Sequence, residues 1–429
     1  MDQYRVLRIM HRMSISGPTF HAAYLTKYLN KDFQSKLVSG MVEPTEKDGT
    51  HIMNEIGIEP TYLKKMKRSI NPIDDYATLN EIRSIIREYK PHIVHTHAAK
   101  SGALGRMAAS LEKVPIILHT FHGHVFHSYF GKLKSQGFLS VERYLAKKSS
   151  RIIAISQKQK EELGEVFQVC HPDKIEVIPL GFDLDKFMID RQRKRAIFRK
   201  EFGLSDEEVA VGIIGRVTKV KNHPHFIKSF KQLVDKSEKP VKGFIVGDGD
   251  MLQECKNLAK ELGLSISNGV DFNPDAQLYF TSWREDIDQV INGLDILTLT
   301  SLNEGTPVTL IEAQACQKPI ISTRVGGIVD IVKENQTALL TEKEDIEGFS
   351  EKLLYLVEHP EVRKQMGKSG GFVYERFSHK RLVNDIENLY YQLLKEKGLL
   401  EKRPLIKKTR NFKKTIRLHK RLEGILKLF

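Results

Sequence analysis

Short apolar runs alternate with longer stretches whose apolar positions recur at helical spacing, and the alternation continues over most of the chain. In the first half, the runs predict strands at 5–10, 35–42, 92–97, 115–121, 151–156 and 174–180. Helices are predicted at 19–30, 72–89, 100–113, 139–148 and 157–167, the first with Thr19 as its N-cap. A second series begins at Val209. Residues 211–230 read strand, loop, helix; 276–283 and 296–301 read as strands, and 338–340 as a short one. Helices are expected at 190–202, 345–358, 361–366 and 379–397, the last with Leu382, Ile386, Leu389 and Leu393 on one face. Strands alternating with helices imply βαβ units. The expected fold class is therefore α/β and doubly wound, with ligand loops at the carboxyl ends of the strands.

Composition narrows the picture. A chain of 429 residues holds two or three domains able to bury a core. The first residues, MDQYRVLRIMHRMS, lack the long apolar core of a secretory signal, and no apolar run reaches membrane-spanning length. Cys170, Cys255 and Cys316 are too few and too scattered for a disulfide framework, which fits a reducing cytoplasm. The net charge of +14 is unevenly placed: residues 402–429 carry 11 Lys or Arg against Glu423 alone, a local charge of +10. Leu418, Leu422, Ile425 and Phe429 add an apolar spacing. This tail reads as a basic amphipathic helix for an anionic membrane surface or a partner, or as a basic disordered end. Charge without an aromatic or helix-turn-helix pattern gives no nucleic-acid partner.

The densest chemistry lies at 295–332, DILTLTSLNEGTPVTLIEAQACQKPIISTRVGGIVDIV. It reads strand, loop, helix, strand, glycine turn. Thr306 is expected as N-cap and Pro307 at the first helical position. Such a helix start suits a phosphate, whereas Glu304 and Glu312 suit hydroxyl groups, as sugars provide. Arg216 at a strand end and Lys221 just before Pro224 are placed to balance a diphosphate. His95, His97, His119, His122, His124 and His127 raise the question of zinc. They fall in two strand-end segments with no Cys or carboxylate at ligand spacing, so no metal is expected, and His95 and His119 read best as packed core. Asp-x-Asp occurs at 183–185, 248–250 and 286–288, too often in one chain to mark a metal site.

The stretch 295–332 resembles the carboxylate signature of retaining family-4 glycosyltransferases of the GT-B fold, and the likeness extends over about residues 5–395. It implies two Rossmann-like domains facing across a cleft: 1–185 on the acceptor side and 186–378 on the nucleotide-sugar side. A closing helix, 379–400, would cross back to the first domain, and the basic tail, 401–429, would follow. The resemblance places Glu304 on the donor sugar and Glu312 on the ribose, with Gly305, Thr306, Val308 and Thr309 around the donor. It places Arg216 and Lys221 on the diphosphate. His122, in Phe121-His122-Gly123, would lie near the anomeric carbon, and Gly17 near the diphosphate and acceptor. Trp283 and Arg284 would flank the base, where an Arg plane can stack. Residues 248–250 would be a structural turn. The implied activity is metal-independent retaining transfer of a hexose, with no cofactor, from a nucleotide diphosphate sugar. A uridine donor is expected because such donors are frequent in the family. The acceptor would be a cell-envelope glycan or a lipid-linked one, and the enzyme cytoplasmic, peripheral at the membrane's inner face. A nucleotide-sugar epimerase and a silent assembly scaffold of the same fold remain as alternatives.

Overall fold

A computed structural model describes residues 3–14, 17–42, 48–67, 69–122, 132–268 and 273–400. His124, His127, Gly123 and the whole of the basic tail lie outside them.

The first sheet comprises β1 (Tyr4–Arg12), β2 (Phe33–Gly40), β3 (Thr61–Leu63), β4 (Ile93–His97), β5 (Ile116–Phe121), β6 (Arg151–Ala154) and β7 (Ile175–Val177). Their spatial order is β3-β2-β1-β4-β5-β6-β7. The second comprises β8 (Val209–Ile214), β9 (Val241–Val246), β10 (Ile266–Asn268), β11 (Leu278–Ser282), β12 (Ile296–Leu299), β13 (Ile320–Thr323) and β14 (Ala338–Thr341). Their order is β10-β11-β9-β8-β12-β13-β14. Every ladder between these strands is parallel. Parallel strands covered on both faces read as continuous apolar runs. β8 shows why: Val209, Val211 and Ile213 pack into one cluster, and Ala210 and Ile214 into the cluster on the other face. The two sheets therefore form two Rossmann-like domains.

Each sheet reverses its winding at its first strand. The reversal falls between β1 and β4 in the first domain and between β8 and β12 in the second. Loops leaving the carboxyl ends of such strand pairs diverge and leave a crevice, where doubly wound folds bind ligands. The loops after β8 and β12 carry Arg216, Lys221 and Glu304.

Two helix starts differ from expectation. The helix after β1 begins at Gly17, and Thr19 lies inside it with Oγ1 donating to the Ser14 carbonyl at 2.5 Å. Its hydroxyl is thus a donor to the preceding loop and not a cap acceptor. The helix after β12 spans Val308–Ala315, with Pro307 in extended geometry at the N-cap and no side-chain cap bond from Thr306. By contrast, Pro72–Tyr89 begins and ends where the sequence places it, because Asn71 Oδ1 accepts from the Ile73 and Asp74 amides.

The closing helix spans His379–Glu396. Its first turns, up to Leu389, bind the first domain. Arg381 donates to the Pro179 and Leu180 carbonyls, and Glu387 Oε1 accepts from the Asn30 amide at 2.6 Å. His379 packs against the rings of Tyr24 and Tyr28. The described residues from 390 to 400 belong to a separate unit. Among the described residues no helix is long and apolar enough to cross a membrane.

Candidate active site

The loop after β12 is held from both sides. Toward β8, the Leu302 amide donates to the Val220 carbonyl at 2.8 Å, and Thr300 Oγ1 donates to the Lys221 and Asn222 carbonyls. Toward β13, Thr323 Oγ1 donates to the Ser301 carbonyl, and the Gly327 amide to the Glu304 carbonyl at 3.1 Å. Gly326 has φ +52°, and a Cβ there would collide with the Glu304 carbonyl; one at Gly327 would collide with the Gly305 carbonyl. The glycine pair after β13 thus exists to let the Glu304 loop lie flat against it. Gly305 itself faces open space.

This anchoring brings together residues 83 apart in sequence. Lys221 Nζ donates to Glu304 Oε1 at 2.5 Å, and Ser301 Oγ donates to the same oxygen at 2.6 Å. The Glu304 side chain is only 9% exposed. Among the described residues no donor meets its Oε2, which leaves that oxygen able to accept a further hydrogen bond. Arg216, after β8, is exposed, and its side chain has no ion-pair or hydrogen-bond partner among the described residues, though its carbonyl accepts from the Thr218 amide at 2.9 Å. The helix His223–Lys236 starts beside Lys221, with Pro224 in its first turn. Two cations, a helix start and a carboxylate therefore converge at the second switch point.

Glu312 is half-buried one turn and a half into the helix Val308–Ala315, in which Val308 and Thr309 are also half-buried. Burial raises its pKa to about 7; Lys186 pulls it down and Asp288 pushes it up. Near neutral pH the carboxyl can accept or donate a hydrogen bond, which suits a ribose diol. Arg284 is gripped by Glu201 and Asp286 on its donor edges. Those pairs fix the plane of the guanidinium. Each Asp-x-Asp has local work: Asp248 accepts from the Gly249 amide and Ser282 Oγ, Asp183 from the Asp185 amide, and Asp286 from Arg284.

In the first domain, Gly17 opens the helix after β1 with its nearest outside atom, Leu180 Cδ1, 4.0 Å from where a Cβ would stand. His122 ends β5 and is half-buried, though its Nδ1 is out of reach of solvent. Its Nε2 lies 3.1 Å from His97 Nδ1. Burial lowers its pKa to about 3, so the ring is neutral. His95 and His119 are fully buried: His95 bridges Arg8 and Thr120, and His119 Nδ1 meets Thr96 Oγ1. Sequence reading passed over His21, which the helix Gly17–Lys27 places against His97 and His122. Nothing local in the sequence marks it, since it is one apolar-face position in a helix far from the strand-end histidines.

Two Rossmann-like domains, each built on a seven-stranded parallel sheet that reverses its winding at its first strand, have the architecture of the GT-B fold. The chain belongs to the family-4 glycosyltransferases: the family described as Glycosyltransferase Family 4 matches residues 15–186, and Glycosyl transferases group 1 matches 194–371. The chain is 29% identical over 337 residues to the UDP-Gal:alpha-D-GlcNAc-diphosphoundecaprenol alpha-1,3-galactosyltransferase of Escherichia coli, covering 78% of this chain and 84% of that one. It is 26% identical over 348 residues to the capsular polysaccharide biosynthesis glycosyltransferase CapM of Staphylococcus aureus, with 79% and 86% covered. Among solved structures, HepE of Anabaena in complex with UDP superposes with a TM-score of 0.75 at 17% identity, over 90% of this chain and all of that one. A glycosyltransferase from Rickettsia africae gives 0.73 at 21%, over 92% and 100%. At these identities the superpositions speak for the fold.

Proposed function

We propose that the protein transfers a sugar, with retention, from a UDP-sugar to a lipid-linked or other cell-envelope glycan acceptor. The observation that carries this is the Lys221–Glu304 pair at the switch point with Arg216 exposed beside it. Arg216 and Lys221 neutralise the donor diphosphate and the charge that grows on it as the sugar departs, which is the kind of interaction that contributes most to catalysis. Glu304 Oε2 orients the sugar, Glu312 holds the ribose, and the Gly305–Thr309 segment packs around the donor. Gly17 leaves room for the diphosphate and acceptor on the facing domain, and His122 lies by the reacting carbon. Arg284, fixed by its carboxylates, offers a flat surface to the base. The leaving phosphate takes the acceptor proton, and the new bond forms on the face the phosphate leaves. The uridine donor and the lipid-diphosphate acceptor are supported by the relatives' names. The test is product analysis with radiolabelled UDP-sugars and an undecaprenyl-diphosphate sugar. Label in the lipid product is expected; label only in a different nucleotide sugar would mean epimerisation, and none in either would leave a scaffold.

Cations from the chain take the place of a metal at the diphosphate in this reading. Excess chelator is therefore expected to leave the transfer rate undiminished. A loss restored by added magnesium or manganese would overturn it.

We also propose that residues 402–429 hold the enzyme at an anionic membrane, where a lipid-linked acceptor resides. Each basic residue near such a surface contributes about 1 kcal/mol, less when crowded or screened. A chain ending at Leu400 should no longer co-sediment with anionic vesicles at low salt, yet should still glycosylate a water-soluble acceptor. Failure of the full-length protein to sediment with the vesicles would refute the membrane role.

A further inference from the structure

His21, His97 and His122 come from three elements: the helix after β1, the end of β4 and the end of β5. One ring nitrogen of each lies within 4.8 Å of one of each of the others. His21 and His97 are fully buried. Among the described residues neither nitrogen of His21 has a hydrogen-bond partner, nor does His97 Nε2 or His122 Nδ1. Buried polar atoms without partners are uncommon, and each costs about 1–3 kcal/mol. An ion held by one nitrogen of each ring would give buried His21 a partner, the one ring of the three with neither nitrogen engaged. His97 Nδ1 and His122 Nε2 stand 3.1 Å apart. Ligands bound to zinc at about 2.0–2.1 Å with tetrahedral angles are separated by roughly 3.3 Å.

We propose that His21, His97 and His122 form a site for a transition-metal dication of the zinc class, and that its occupancy inhibits transfer by sequestering His122. Neutral imidazole is the form that binds metal, and all three rings are kept neutral, chiefly by burial. Three protein nitrogens leave a fourth position for water or substrate, as in open zinc sites. His95 is stacked on His97 but is committed to Arg8 and Thr120, so it supports the cluster without joining it. Arg8 and Arg381, whose charges also bear on His21, oppose a dication and place the site among the reversible ones. The inhibitory consequence rests on the position proposed for His122 at the reacting carbon; metal binding itself does not.

The test uses untagged full-length protein freed of metal by chelator and desalting. Titration with Co(II) or Zn(II) should show one saturable site by visible absorption and by calorimetry. His21→Asn and His97→Asn should each weaken it by at least about tenfold. X-ray absorption of the zinc-loaded wild type, which needs no variant, should count three imidazole nitrogens. Fewer than three imidazoles, absence of a saturable site, or wild-type affinity in either variant would overturn the site. Zinc should inhibit wild-type transfer over the concentration range in which it binds, and His21→Asn should shift that inhibition in step with affinity. Three-imidazole binding without inhibition would overturn the inhibitory role and remove His122 from the reacting centre, while leaving the donor site as described.

Discussion

Glu304→Gln is expected to lower the turnover number by roughly a hundredfold or more, about 2.7 kcal/mol of transition-state stabilisation, while UDP still binds. The change is nearly isosteric, so the loop and its anchors stay. What changes is charge. Glu304 Oε1 receives both Lys221 Nζ and Ser301 Oγ. With a neutral amide in its place, Lys221 loses its counter-charge at the point where positive charge develops on the departing sugar. The nucleotide's own contacts, proposed at Arg216, Glu312 and the start of the helix Val308–Ala315, do not depend on that carboxylate. Single-turnover rates with saturating donor, set beside calorimetric UDP affinity, separate the two effects. Wild-type turnover in the variant would remove Glu304 from the mechanism, and loss of UDP affinity in proportion to rate would make its role binding alone.

Acid should unfold the first domain well above the pH at which carboxylates titrate. His21, His95, His97 and His119 are all held well below their ordinary pKa of 6.5, and His122 at about 3, with burial the leading cause for each. Below pH 6.5 the unfolded chain takes up protons that the folded rings refuse. The stability is thus intact above 6.5 and is lost as pH falls toward the folded values. Each such group removes up to about 1.4 kcal/mol per pH unit. Several together can exhaust the 5–15 kcal/mol typical of a domain within about two units. Glu312 works the other way, since its raised pKa adds stability as pH falls from about 7 to 4.5. It lies in the second domain, so it does not offset the loss in the first. The melting temperature should be nearly level between pH 7 and 8 and should drop steeply below 6.5. A level curve down to pH 5 would show the histidines to be solvated.

The alternation of strand and helix was legible because parallel strands buried on both faces announce themselves as apolar runs, as Ile296–Leu299 and Val209–Ile214 do. So was the placing of Lys221 and Glu304 in loops that follow such runs. Their direct pairing was not legible; it depends on β8 and β12 being neighbours, and strand order is not written in local pattern. The short strands Thr61–Leu63 and Ile266–Asn268 left too little pattern to register. Helix caps gave mixed results for a physical reason. The Asn71 amide oxygen accepts from first-turn amides, whereas the Thr19 hydroxyl, which can donate as well as accept, donates to the loop behind it. Spacing along the chain relates only the strand-end histidines to one another. His21 entered the cluster through a helix crossing, a relation that no spacing expresses.

The way the Glu304 loop is fastened has an evolutionary side. It is tied by the Thr300 hydroxyl and by the backbone of Ser301, Leu302 and Glu304, and a glycine pair forbids any side chain from pressing on it from β13. Yet the side chains of Leu302 and Asn303, in the middle of that fastened segment, are exposed. Mutations there can reshape the wall of the crevice without displacing the carboxylate next to them. A lineage could therefore explore new sugars by drift at 302 and 303 while its chemistry stayed intact, whereas a change at Gly326 would silence the enzyme before any new preference could be selected.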